Sequence, residues 1–148
     1  MCLSALARSL LKGQPARMEL DLDGLRTLST DECVELLATT RLGRVALSDK
    51  ALPTIVAELY VVRGSTINLV APGGLVVAAA RRGDIVCFEA DSADAEETDF
   101  WSVVVVGRLQ LRRTSLDPDE LPHVEVIRPF ASLPMTIVTG HAAALRCR

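Results

Sequence analysis

The chain has 148 residues, 49% of them hydrophobic and 24% charged, with a net charge of −3. A domain of that length buries roughly 70% of the surface its unfolded chain exposes, so it folds without a disulfide or metal staple, and the composition excludes a disordered tail. No apolar run approaches the ~20 residues of a membrane helix, and an acidic chain with one Trp, one Tyr and three Phe lacks the basic face and stacking rings of a nucleic-acid module. Neither a membrane nor a nucleic acid is an expected partner.

Residues 1–27 read as an N-terminal extension, and 28–148 as the domain. Leu3, Leu6, Ala7, Leu10 and Leu11 recur at helical spacing. Arg8 and Lys12 supply too little positive charge for a membrane-surface helix, so a docked extension is the simpler reading. Arg8 also interrupts the apolar core that a secretory signal needs, which points to a cytoplasmic, reduced chain. Cys2, Cys33, Cys87 and Cys147 show no C-x-x-C spacing, and the histidines are only His123 and His141. That pattern opposes a structural zinc site; Cys33 and Cys87, within apolar runs, read as small buried hydrophobes.

Ser29 and Glu32 form a capping box ahead of Cys33, Leu36 and Leu37, predicting a helix over 30–40. Strands follow at Gly43–Ser48, Pro53–Val62 and Thr66–Val70, joined by turns at Asp49-Lys50 and Arg63-Gly64-Ser65, as an antiparallel meander. Ala71-Pro72-Gly73-Gly74 breaks the pattern. Leu75–Arg82 is an Ala-rich helix with Arg81 and Arg82 at its C-terminal end, stopped by Gly83 and Asp84. Ile85–Ala90 returns to strand. An acidic loop over 91–99 carries Asp91, Asp94, Glu96, Glu97 and Asp99 and leads to the longest strand, Phe100–Leu111, where Gly107 marks a bulge or a close approach. A helical turn at Asp117–Leu121 and a strand at Val124–Ile127 precede a loop from Pro129 to Pro134 and a last strand at Met135–Ala143. Roughly six strands with two or three short helices suggest a small closed or partly open barrel.

The residue types exclude most side-chain catalysis. No G-x-S-x-G elbow accompanies the two late histidines, and no Walker or G-x-G-x-x-G motif is present. The acidic loop lacks the D-x-D-x-D-G spacing of a calcium site, so it reads as a solvated turn. No metal ligand set is expected, and any catalysis falls to a cofactor.

The order of segments is more specific. Gly43-Arg44 opens the first strand, Phe88-Glu89-Ala90-Asp91 ends a later one, Trp101-Ser102-Val103 leads to Gly107-Arg108, and Ile137-Val138-Thr139-Gly140 closes the series. Over about Leu28 to Gly140 the chain resembles the pyridoxamine 5'-phosphate oxidase-like family of flavin-binding split barrels, nearest its small actinobacterial, nitroimidazole-resistance-like members. The resemblance implies a mainly β domain with flanking helices, a six-stranded antiparallel split β-barrel. It further implies a homodimer with FMN, or the related deazaflavin, in the clefts between subunits. The phosphate would meet the backbone of Ala71, Gly73 and Gly74 at a helix N-terminus, with Arg81 completing the charge, and the ring would lie against Val70 with Trp101 at the cleft. Two departures stand out. Relatives commonly carry a lysine where this chain has Leu75, and Glu58 would bring a carboxylate towards the phosphate if it faced the cleft. Losing one charge-assisted phosphate contact weakens binding by roughly 1.5–3 kcal/mol.

Two functions follow. One is a flavin- or deazaflavin-dependent oxidoreductase passing hydride or electrons to a small-molecule acceptor such as a nitro compound or quinone. The other is a non-catalytic dimeric barrel that has lost its phosphate site and binds another ligand, such as haem, or a protein partner. The apolar strand Phe100–Val106, left as a bare edge, would aggregate, which is a further reason to expect a homodimer.

Overall fold

The two helices among the described residues start and stop as their local chemistry dictates. The computed structural model describes residues 25–70, 72–93, 99–112 and 130–144. Helix α1 spans Thr30–Leu37. The Glu32 amide donates to Ser29 Oγ at 3.3 Å, while the Ser29 amide donates to Glu32 Oε2 at 2.8 Å, so two amides that a helix start leaves unpaired are satisfied reciprocally. The helix ends before Thr40 because its last carbonyls are taken by side chains: the Thr39 hydroxyl donates to the Leu36 carbonyl at 2.7 Å, and the Tyr60 hydroxyl to that of Leu37 at 2.7 Å. Helix α2 spans Gly74–Arg82 and ends on Gly83 at φ 67°, a left-handed position suited to glycine. The Gly83 and Asp84 amides close back on Ala80 and Ala79 at 3.2 and 3.0 Å. Arg108 Nη1 then donates to the Gly83 carbonyl at 2.5 Å, so this arginine caps a helix.

Among the described residues nine strands form one antiparallel sheet: β1 (Arg26–Thr27), β2 (Leu42–Asp49), β3 (Leu52–Arg63), β4 (Thr66–Leu69), β5 (Ile85–Ala93), β6 (Asp99–Arg108), β7 (Gln110–Arg112), β8 (Phe130–Pro134) and β9 (Ile137–Ala144). Their order across the sheet is β1-β9-β6-β5-β2-β3-β4-β8-β7. Only Leu109 separates β6 from β7, yet β7 lies at the far end of that order. One residue cannot bridge a flat sheet of strands ~4.8 Å apart, so the sheet must curl until its far strands approach β6, giving a half-barrel. The expected β2-β3-β4 meander is present.

The strand count is larger than the expected six because β1, β7 and β8 are added. The segment read as a loop from Pro129 to Pro134 is strand β8 over Phe130–Pro134, paired with β4 and β7. Its flanking prolines gave the loop signal, but Phe130, Ala131, Ser132 and Leu133 are all buried between two partners. Strand β6 is not an edge, since β5 and β9 pair with it on either side. The helical turn at 117–121, the strand at 124–127, residues 94–98 of the acidic loop and the extension up to residue 24 lie outside the described residues.

The core fills the concave side. Cys33, Leu36 and Leu37 of α1 and Val76 and Ala79 of α2 pack on Val45, Tyr60, Ile67, Phe88, Trp101, Val103 and Val105. Tyr60 and Phe88 meet edge to face, with ring centroids 4.8 Å apart. Burial pushes the Cys33 thiol up to about 11, as expected of an inert core cysteine. No helix among the described residues is long and apolar enough to cross a membrane.

At the tip of the β2–β3 hairpin, Lys50 and Ala51 take φ of 49° and 64°, the left-handed pair of a two-residue type I′ turn. A non-glycine residue held there is strained by roughly 1–2 kcal/mol, whereas glycine adds about 0.5–1 kcal/mol of unfolded-state entropy. Ala51→Gly is therefore expected to stabilise the chain by about 0.5–1 kcal/mol, measured as a raised urea midpoint with an unchanged slope.

Candidate functional site

The start of α2 is placed by the end of β4. The Val70 amide donates to the Leu59 carbonyl at 3.1 Å, holding the chain against β3, and Val70 itself is buried. The chain then turns through Pro72 into Gly73, the N-cap of α2, at φ −67° and ψ 165°. Gly73 has no side chain, so unlike Ser29 it contributes no capping oxygen. A helix start of this kind draws an acceptor towards its amides, helped by the partial positive charge there.

That acceptor is already present in the chain. Glu58 Oε1 accepts from the Gly73 amide at 3.0 Å. On β3 the side chains alternate, so Glu58 shares the inward face of Tyr60 and is only 6% exposed. Across the ladder it faces Gly43 of β2. A Cβ on Gly43 would collide with the Phe88 ring, so glycine there is what leaves room for that ring against the strand. No cation pairs with Glu58 among the described residues. Burial raises its carboxyl above the ordinary range, with the Gly73 amide pulling weakly the other way. Its sign for folding follows: the stability this group contributes is full below its unfolded pKa and declines as pH rises through the raised folded one.

A second polar group lies on the opposite, convex face. Arg44 Nη1 is 3.1 Å from Glu89 Oε2 and 3.6 Å from Asp91 Oδ2, and the Ser102 hydroxyl donates to Glu89 Oε1 at 3.3 Å. Burial and the neighbouring Asp91 raise the Glu89 carboxyl, while Arg44 opposes them. Half-exposed pairs of this kind contribute little to stability by themselves. Among the described residues no three His, Cys, Asp or Glu side chains converge as a metal site would require.

The residues expected to hold a cofactor are divided by the fold. Val70, Gly73 and Gly74 come together at the start of α2, and Ala71 lies outside the described residues. Arg81 is eight residues beyond Gly73, about 12 Å along the helix, and is exposed in the last turn. Trp101 is 0% exposed, on the concave face of β6 between Ser92 and Ala142, and its indole Nε1 has no hydrogen-bond acceptor among the described residues. β6 is three strands from β3 in the sheet, so Trp101 belongs to the core between the sheet and α1 rather than to the α2 terminus. Glu58 is visible in the sequence as a departure from the family pattern and as the one acidic residue of its strand, and the structure turns it inward, onto the Gly73 amide.

The sequence profile of the pyridoxamine 5'-phosphate oxidase family matches residues 29–130. Protein Rv0080 of Mycobacterium tuberculosis is 33% identical over 119 residues, covering 76% of each chain. Among solved structures, an FAD-binding protein of Mycobacterium smegmatis superposes with a TM-score of 0.62 at 27% identity, over 80% of this chain and 98% of that one. An FAD-binding protein of Mesorhizobium loti shares the fold, with a TM-score of 0.64 at 20% identity over 80% of this chain and 98% of its own. The chain belongs to the pyridoxamine 5'-phosphate oxidase family and has its split-barrel fold.

The resident group this family implies is FMN, and its phosphate does not fit the start of α2 as the described residues line it. A phosphomonoester at the start of α2 would meet the Glu58 carboxylate already on the Gly73 amide. Leu75, 38% exposed in the first turn, offers no balancing cation.

Proposed function

We propose that this chain is a flavin-binding redox protein that works in the cytoplasm as a homodimer. The observation that carries the reading is its 27% identity to an FAD-binding protein of M. smegmatis over 80% of the chain, with nearly all of that protein covered. A bound flavin supplies hydride or electron transfer to a small acceptor, and the protein's contribution is to orient it and exclude water. The titrating core groups agree with such a division of labour. Cys33 and Tyr60, pushed up to about 11 and about 12 by burial, stay protonated at neutral pH and act in packing. The test is a visible spectrum of the untagged protein, followed by titrations with FAD, FMN, riboflavin and deazaflavin while their fluorescence is followed. Saturable quenching by any of them supports the reading.

A second reading, a barrel that binds haem or a protein instead, is favoured by Glu58. A colourless protein that quenches none of the four would leave that reading in place of the first.

The homodimer is supported by the convex face of the sheet, not by an edge. Register aligns Ile55, Ala46, Cys87, Val106 and Ile137 in one row across five adjacent strands. Ile55 and Ile137, at the two ends, are 68% and 57% exposed, and Leu42 and Leu59 face each other beside them. A contiguous apolar face of this kind favours association with a second copy, and the Arg44–Glu89–Asp91 group supplies polar register within it. The expected result is a dimer on light scattering at micromolar concentration, reduced to a folded monomer by Ile55→Asp with Ile137→Asp. A monomeric native chain contradicts the assignment.

A further inference from the structure

We propose that Glu58 sets which flavin this chain accepts: its carboxylate holds the anion position at the start of α2, so the protein rejects a phosphomonoester tail and favours a neutral, hydroxyl-bearing one. The inference rests on the flavin reading above and deepens it. Three observations carry it.

First, the position is taken by a group of the wrong sign for phosphate. Glu58 Oε1 sits 3.0 Å from the Gly73 nitrogen, and a Cβ built on Gly73 would lie 3.3 Å from the same oxygen. The carboxylate is therefore packed directly beneath the exposed N-cap, where a phosphate drawn by the helix dipole would come to rest. Second, no described residue neutralises it. Among the described residues no cation pairs with Glu58, the first turn of α2 carries Gly74, Leu75 and Val76, and the two arginines of the helix are at its other end. Two anions at this terminus would compete for one dipole and one set of amides. Third, the carboxylate has acceptor capacity left. An ionised carboxylate accepts at about four lone-pair positions, and the described residues supply one hydrogen bond, from Gly73. A ribityl or ribose hydroxyl donates where a phosphate dianion cannot, so the same residue that repels FMN's phosphate recognises a polyol.

The experiment compares riboflavin with FMN on the untagged full-length protein at pH 7.5, by quenching of flavin fluorescence, for the native chain and for Glu58→Gln. Glutamine keeps the side-chain length and the acceptor for the Gly73 amide while removing the charge. The native protein is expected to bind riboflavin about tenfold or more tightly than FMN, the size of one charge-assisted contact changed from favourable to unfavourable. Glu58→Gln is expected to tighten FMN by about tenfold or more and to change riboflavin by less than about threefold. Native protein that binds FMN as tightly as riboflavin overturns the inference and leaves the flavin reading intact, and this comparison needs no variant to fold. If neither flavin binds either protein, while the four-ligand titration is also blank, the flavin reading falls and the inference with it.

Discussion

Replacing Trp101 by alanine is expected to destabilise the chain by about 3–5 kcal/mol, the range for truncating a buried indole. Trp101 is the largest of the fully buried side chains and lies against the core residues of both β6 and α1. Natural domains of this size hold about 5–15 kcal/mol in total, so Trp101→Ala is left with a small margin at best. Trp101→Phe is a different case. Among the described residues the indole Nε1 has no acceptor, and a buried orphan donor costs roughly 1–3 kcal/mol, so phenylalanine removes a penalty while giving up part of the packed ring. A change within about 1 kcal/mol is expected. The check is urea unfolding followed by far-ultraviolet circular dichroism, because the only tryptophan is the one removed. A phenylalanine variant as unstable as the alanine one would mean that the indole nitrogen has a partner after all. Neither substitution touches the start of α2, so Trp101→Phe should leave flavin affinity unchanged.

Gly107→Val is the second large effect, expected at about 3 kcal/mol or more. Even the first carbon of a side chain at Gly107 collides with the Pro134 carbonyl oxygen and comes within 3.0 Å of Leu133 Cδ1. The obstacle is backbone, which cannot rotate aside, so β6 and β8 must separate. Overpacking typically costs about 1–3 kcal/mol where side chains can yield, and here the main clash is with an atom that cannot. The contact also closes the curl. β6 leaves Gly107 for Leu109 and β7 across the mouth of the half-barrel, and the Leu109 amide is held by the Asp84 carbonyl at 2.9 Å. Gly107→Val is therefore expected to lower the urea midpoint and the cooperativity together, and an unchanged midpoint would sink this account of closure. Gly107→Ala should fall between the native chain and valine.

Much of the fold is legible in the sequence where the governing contacts are local. The Ser29–Glu32 box and the Gly83 stop each depend on atoms only a few residues apart and appear where their spacing places them, while the turn expected at Asp49-Lys50 falls one residue later, at Lys50-Ala51, because Asp49 still pairs with Leu52. The close approach at Gly107 was legible for a related reason. A lone glycine in an apolar strand lowers its stability unless another part of the chain needs the space. The resemblance carried by Gly43-Arg44 and Phe88-Glu89-Ala90-Asp91 likewise has a physical basis in part, because Gly43 makes room for the Phe88 ring.

The tertiary structure alone decided the direction of Glu58. Alternation normally tells which face of a strand is buried, but β3 reads Pro-Thr-Ile-Val-Ala-Glu-Leu-Tyr-Val-Val, with apolar residues on both faces. Ile55 and Leu59 point outward and Val56 and Tyr60 inward, so a charge at 58 carries no sign of its side until the register with β2 and β4 is formed. Its partner Gly73 is fifteen positions further on, beyond a strand and a turn, and no spacing rule links the two. The same limit applies to Phe130–Pro134, a loop by its prolines and a strand by its burial. Sequence by itself determined what neighbouring residues settle through their own hydrogen bonds. Which polar group meets the start of α2 depended on the pairing of β3 with β4, because the Val70–Leu59 hydrogen bond at the end of that ladder is what sets Gly73 against Glu58.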